Sequence, residues 1–169
     1  MTGEIEWLLT QLAEAGVRYL VVGGVAVVLQ GYLRTTADLD LVVDLEPRNL
    51  DITVAVLERL GFRPRPPVAL RSFADAEERT RWIVEKNLQV FSLWHPEMPG
   101  FELDLFVKLP FVFDEAFARA SVARLGNSDI AVASIDDLIA MKRDAGRPRD
   151  LEDIHALLAL KKASERQGV

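Results

Sequence analysis

Two aspartates one residue apart, Asp38 and Asp40, stand at the head of an apolar run, Leu41-Val42-Val43. Side chains alternate faces along a strand, so both carboxylates project from one face and Leu39 and Leu41 from the other. Like charges this close repel, and the arrangement is costly unless a cation sits between them. Upstream, the apolar run Leu20-Val21-Val22 is broken by Gly23-Gly24 and resumes at Val25 as the start of a helix. Such a glycine turn frees backbone N–H groups for an anion. An anion site beside a cation site suits a metal–phosphate complex. A third acid, Asp104, lies in FELDLFV, whose alternation puts it on the same face as Glu102.

Positioning these groups requires strands at 18–22 and 38–43, with a helix over 24–31 between them and a link through Arg34, Thr35 and Thr36. An amphipathic helix over 3–15 precedes them, with Ile5, Leu8, Leu9 and Leu12 on one stripe. Pro47 opens another helix, with Leu50, Val54, Leu57 and Leu60 inward and Gly61 as its stop. A proline-rich connection over 63–67 and a short charged helix over 74–81 follow. Residues 82–94 read as a hairpin about Lys86-Asn87. A short helix at 111–119 and a β segment at 129–133 complete the middle of the chain. Ser134 and Asp137 form a capping box for a helix over 135–145, and Pro148 begins the last helix. The pattern predicts one α/β (α+β) domain over 1–169, a mixed and largely antiparallel sheet flanked by helices. The C-terminal helices span about 135–162, and the polar tail after Lys161 frays.

The chain has 169 residues, half of them hydrophobic, enough to bury a core. It has no cysteine, hence no disulfide and no thiolate metal site. No apolar run reaches the ~20 residues that span a bilayer, and the N-terminus lacks a secretory signal, so a cytoplasmic location without membrane association is expected. A formal charge of −6 argues against broad non-specific binding of nucleic acid.

Taken together, Gly23-Gly24, Asp38-Leu39-Asp40-Leu41 and Leu103-Asp104-Leu105 resemble the nucleotidyltransferase superfamily typified by DNA polymerase beta. Within it, SIDDLIAMKRDAGRPRDLEDI, from Ser134 to Ile154, is similar to the C-terminal signature of small bacterial nucleotidyltransferases that include the AbiEii-type toxins of toxin–antitoxin systems. The resemblance covers most of 18–44 and 101–155, and residues 62–100 match no motif. It implies a nucleotidyltransferase fold in which Asp38, Asp40 and Asp104 are catalytic and hold Mg2+ (or Mn2+). Asp104 would bind the metal on the attacking hydroxyl and help remove its proton. Gly23, Gly24, Arg34 and Lys142 would bind the nucleotide. Many members carry Gly-Ser where this chain has Gly23-Gly24, so no side-chain hydroxyl at position 24 can meet a phosphate.

Each piece alone also has a plain reading. The glycines can be a strand-to-helix turn, Asp38 and Asp40 solvated residues at a strand end, and Asp104 an edge residue facing water. Lys142 can be an ordinary surface lysine. It lies four residues beyond Leu138, at the edge of the buried stripe, and is expected to be mostly exposed and of little weight in stability. Arg34 and Arg147 can meet phosphate, and Asp150 can simply cap the last helix. A dinucleotide fold would need G-x-G-x-x-G, and an aspartyl phosphatase would place Asp-x-Asp at the end of its strand. Both fit less well.

The expected activity is metal-dependent transfer of a nucleotide from a nucleoside triphosphate such as ATP to a hydroxyl on RNA (tRNA in particular), a protein side chain or a small molecule, and the resemblance to toxins favours RNA or protein over an antibiotic. The protein would then be the toxin of a toxin–antitoxin system with a cognate antitoxin as partner. The alternative is a non-catalytic nucleotide-binding or partner-binding protein that keeps the fold. RNA modification would need a local basic surface, for which Arg34, Lys108, Lys142, Arg143, Arg147 and Arg149 are available.

Overall fold

The computed structural model describes residues 2–36 and 38–167. Helix α1 (Thr2–Glu14) buries Leu8, Leu9 and Leu12 and ends before Gly16. Strand β1 (Tyr19–Val22) is buried along its whole length, as its unbroken apolar run requires. Helix α2 (Gly23–Leu29) follows directly, and β2 (Asp38–Val43) then pairs antiparallel with β1, Val22 opposite Asp40. Helix α3 (Pro47–Leu60) has Pro at its start, an Asn49 N–H donated to the Glu46 carboxylate, and Gly61 at φ +91° as its stop.

Beyond α3 lie β3 (Arg63–Pro64), a 3-10 turn (Leu70–Ala74), α4 (Ala76–Lys86), β4 (Val90–Trp94) and β5 (Glu102–Phe106). Then come α5 (Phe113–Ala118), β6 (Ser121–Leu125), β7 (Ser128–Val132), α6 (Ile135–Ala145) and α7 (Pro148–Gln167). The strands form one sheet in the order β3-β4-β5-β2-β1-β7-β6. Among the described residues, only the β2–β5 and β1–β7 pairings are parallel. This is the mixed, largely antiparallel sheet that the sequence predicts.

One expectation for the strands fails. Residues 82–86 do not form the first strand of a hairpin; they end α4. Asp75 accepts hydrogen bonds from the N–H groups of Glu77 and Glu78, and Asn87 closes the helix at φ +48°. A good cap outweighs the β propensity of Trp82, Ile83 and Val84. Trp82 then lies flat on Phe91, with centroids 5.1 Å apart, and strand β4 pairs with β3 and β5 instead. The tail also stays helical past Lys161, through Gln167; the last two residues lie outside the described ones.

The sheet has two unlike faces. Leu39, Leu41, Leu103, Leu105, Phe91 and Leu93 point to one and are buried. The other carries Asp38, Asp40, Glu102, Asp104, Ser92 and Trp94, because each alternates with a buried neighbour. Among the described residues no helix is long and apolar enough to cross a membrane.

Candidate active site

Parallel pairing of β2 with β5 sets the register Asp38↔Glu102 and Asp40↔Asp104. Residues opposite each other on adjacent strands have Cβ atoms about 5 Å apart, so two carboxylates about sixty residues apart in sequence become neighbours. Ser92, opposite Asp104 on β4, donates its hydroxyl to Asp104 Oδ1 at 2.5 Å. That fixes the carboxylate and leaves Oδ2 for other work.

Both carboxyls resist ionisation. Burial, then the negative charges of Asp104 and Asp38, push Asp40 up to about 7, while Arg147 and Lys142 pull it down. Burial raises Asp104 also, opposed by the Ser92 hydrogen bond, with Glu102 and Asp38 adding to the rise. A divalent cation would reverse both effects. Among the described residues no three His, Asp or Glu side chains are gathered into a complete ligand set. Asp40 and Asp104 are instead a side-by-side pair with Asp38 exposed at the rim, not the single three-carboxylate shell that the sequence motif implies. Such a pair fits magnesium, which is usually held by one or two carboxylates together with substrate phosphates and water.

Gly23 belongs to this site for a steric reason. Its φ is +64°, and a Cβ there would lie 1.9 Å from Asp40 Oδ2. The Asp40 carboxylate therefore rests against the glycine backbone. Gly23→Ala is expected to displace Asp40 and destabilise the fold by roughly 1–3 kcal/mol, because strain and clash add. Thermal melts check the second effect, and nucleotide transfer checks the first. Gly24 is constrained differently: a Cβ would lie 2.5 Å from Thr36 Oγ1 and 3.1 Å from Arg34 Nη2. The hydroxyl that position 24 lacks is thus present beside it, on Thr36, a residue that sequence reasoning did not single out.

Lys142 is not mostly exposed. It is 6% exposed, because α7 packs over α6 and covers it. Its ammonium lies 2.6 Å from Asp153 Oδ2 and 3.5 Å from Asp150 Oδ1. Arg34 also binds Asp153, which is 2% exposed. Asp150 accepts from both the backbone N–H and the Nε of Arg147, each at 3.0 Å. Asp150 therefore caps α7, as its plain reading holds, and holds a cation as well. Asp153 is the main omission of the sequence reading. Its signal was the position one turn after Asp150 on a face shared with Ile154 and Leu157, where an acid must find a buried partner.

The structure thus gathers two groups side by side: Gly23, Asp38, Asp40 and Asp104, and Gly24, Arg34, Lys142 and Arg147 with their counter-ions. A cavity of about 200 Å3 beside the second group is lined by Tyr32, Arg34, Thr35, Arg149, Glu152 and Asp153. A larger hollow of about 470 Å3 follows the outer side of α4 and includes none of these groups.

A scan against protein-family models and a search of curated proteins gave no match. Solved structures do resemble the chain. The lincosamide antibiotic adenylyltransferase LnuA, lincomycin-bound, superposes with a TM-score of 0.61 at 17% identity over 94% of this chain and 96% of that one. An antigenic nucleotidyltransferase-like protein from Paracoccidioides brasiliensis gives 0.63 at 17% identity, over 94% and 75%. ANT(2")-Ia in complex with adenylyl-2"-tobramycin gives 0.58 at 16% identity, over 99% and 98%. The chain has the nucleotidyltransferase fold.

Proposed function

We propose that the protein is a nucleotidyltransferase that uses Mg2+ (or Mn2+) to move a nucleotide from a nucleoside triphosphate to an acceptor hydroxyl. The register that sets Asp40 beside Asp104, over Gly23, carries this reading. Divalent metal bound there would neutralise the two carboxylates and polarise the phosphates. Asp40 would bind it from β2 and Asp104 from β5, with Asp38 at the rim outside the shared shell. The acceptor oxygen attacks the α-phosphorus, its proton passes to Asp104, and the bond to pyrophosphate breaks. Ser92 keeps Asp104 oriented for that proton. Gly23 and Gly24 bring backbone close to the phosphates, and Arg34 and Thr36 stand beside them. Lys142 acts as a fixed charge behind Asp40, held by Asp150 and Asp153, which favours charge growing on the leaving group.

The signature from Ser134 to Ile154 supports the finer reading: a toxin of the AbiEii type, with RNA or protein as acceptor and a cognate antitoxin as partner. A small hydroxylated acceptor is a second reading. It is favoured because Arg34, Lys142 and Arg147, half of the expected basic surface, are engaged by Asp150 and Asp153.

Each nucleoside triphosphate, labelled in either the α- or the γ-phosphate, should be incubated with total cell RNA or lysate in Mg2+ or EDTA. Transfer of α-label alone, abolished by EDTA, is the expected result. Binding without transfer to any acceptor would favour a non-catalytic protein.

A further inference from the structure

The sheet face that holds the carboxylates continues past Asp104 to the edge of the sheet, through residues 62–100, where the sequence matches no motif. Register defines two rows across it. Arg63 lies opposite Trp94, Trp94 opposite Glu102, and Glu102 opposite Asp38. In the next row the Arg65 N–H donates to the Ser92 carbonyl, Ser92 lies opposite Asp104, and Asp104 opposite Asp40. Both rows project from the same side. Trp94 is half-buried, with the guanidinium carbons of Arg63 and Arg65 at 5.8 and 5.9 Å from its ring centroid. Both arginines are exposed, and Arg65 also holds Glu102 at 3.1 Å, which offsets the acid nearest the ring. Pro64, Pro66 and Pro67 stiffen this edge, which suits a strand with one unpaired side.

We infer that Trp94, Arg63 and Arg65 form the acceptor subsite and that the acceptor is a nucleotide unit, stacked on Trp94 with its phosphate on the arginines. This rests on the nucleotidyl-transfer reading above. A planar base stacks on an indole whatever its identity, and arginine serves both phosphate and aromatic neighbours. Trp94 is diagonal to Asp104, about 7–8 Å between Cα atoms, a distance that a nucleotide spans from base to sugar hydroxyl. An acceptor so placed would present a ribose hydroxyl to Asp104 Oδ2, the oxygen that Ser92 leaves unused. The net acidity of the chain does not oppose this, because the charge that matters is local to the edge strand.

A fluorescent ten-nucleotide single-stranded RNA with a free 3' hydroxyl, followed by anisotropy, tests this without any catalysis. Free adenosine monophosphate serves as competitor. Wild-type protein should bind the RNA, and Trp94→Ala should weaken binding roughly 10- to 100-fold, the range of one lost base–aromatic stack. Trp94→Phe should recover part of it. Arg63→Gln with Arg65→Gln, at exposed positions, should lower the salt dependence by about one to two phosphate contacts, and it answers the question if Trp94→Ala fails to fold. Monophosphate competing as well as RNA would identify a free nucleotide as the acceptor; much weaker competition would identify an RNA end. No binding of either, or binding that both variants leave unchanged, overturns the subsite. Transfer assays on the wild-type protein separate the two readings. Trp94-dependent RNA binding with no nucleotide transfer by wild type would sink the enzyme and keep the subsite, whereas wild-type transfer to an acceptor indifferent to Trp94→Ala would do the reverse.

Discussion

Asp40→Asn is expected to reduce nucleotide transfer by roughly 1,000-fold or more, since a group that clamps the reacting phosphate through metal contributes several kcal/mol. It should also make the metal-free protein more stable at pH 8, an unusual direction for a buried substitution. The folded protein favours neutral Asp40, whose carboxyl titrates at about 7 against an ordinary 3.8. Between those values the folded state holds a proton that the unfolded chain has released, so stability falls as pH rises. The penalty is absent below about pH 4, complete above about pH 7, and at most about 4 kcal/mol. Asparagine keeps the shape and removes the charge. Melting curves from pH 4 to 8 in EDTA should therefore converge at the acid end and separate at the alkaline end, the variant melting higher. Lower stability across the range would mean that the Asp40 carboxylate is structural.

Asp153→Ala should act in the opposite sense. Arg34 and Lys142 both bind this one buried carboxylate. Removing it leaves two cations with little water and a single remaining acid near Lys142. Breaking a buried pair from one side typically costs roughly 3–5 kcal/mol, and for a chain of this size that lowers Tm by roughly 6–20 °C. Lys142→Ala should cost less, because Arg34 still meets Asp153 and Arg147 still meets Asp150. A paired replacement, Lys142→Met with Asp153→Leu, should recover only the share of stability lost at Lys142, since Arg34 stays without its carboxylate, and none of the activity. Calorimetry and transfer assays on the three variants separate the structural from the chemical part. A change in Tm of less than about 2 °C for Asp153→Ala would show that the cluster is solvated in solution.

Much of this was legible in the sequence, for local reasons. Strand β2 and helix α6 fall where alternation and the Ser134 cap put them. Gly61 and Gly146 end their helices in the left-handed conformation that glycine favours. The convergence of Asp104 on Asp40 was legible only through resemblance, because strand order is not written in any local pattern. Residues 82–94 misled because Trp, Ile and Val favour strands, while the deciding group was the Asp75 cap seven residues earlier. Strand β6, Ser121–Leu125, was not anticipated; its alternation is mostly between exposed positions, so it lacks the apolar face that marks a strand. The burial of Lys142 depends on α7 packing over α6, a tertiary contact that the periodicity of α6 alone cannot show.

Mn2+ titrated into the protein with a non-hydrolysable triphosphate analogue, followed by electron paramagnetic resonance, reports whether Asp40 and Asp104 hold a metal–triphosphate complex. Wild-type protein should bind Mn2+ tightly only when the nucleotide is present, since two carboxylates supply an incomplete shell. Asp40→Asn and Asp104→Asn should each weaken that binding at least roughly 10-fold, the loss of one charged ligand. Nucleotide-dependent Mn2+ binding of equal strength in wild type and both variants would contradict the assignment of these two aspartates.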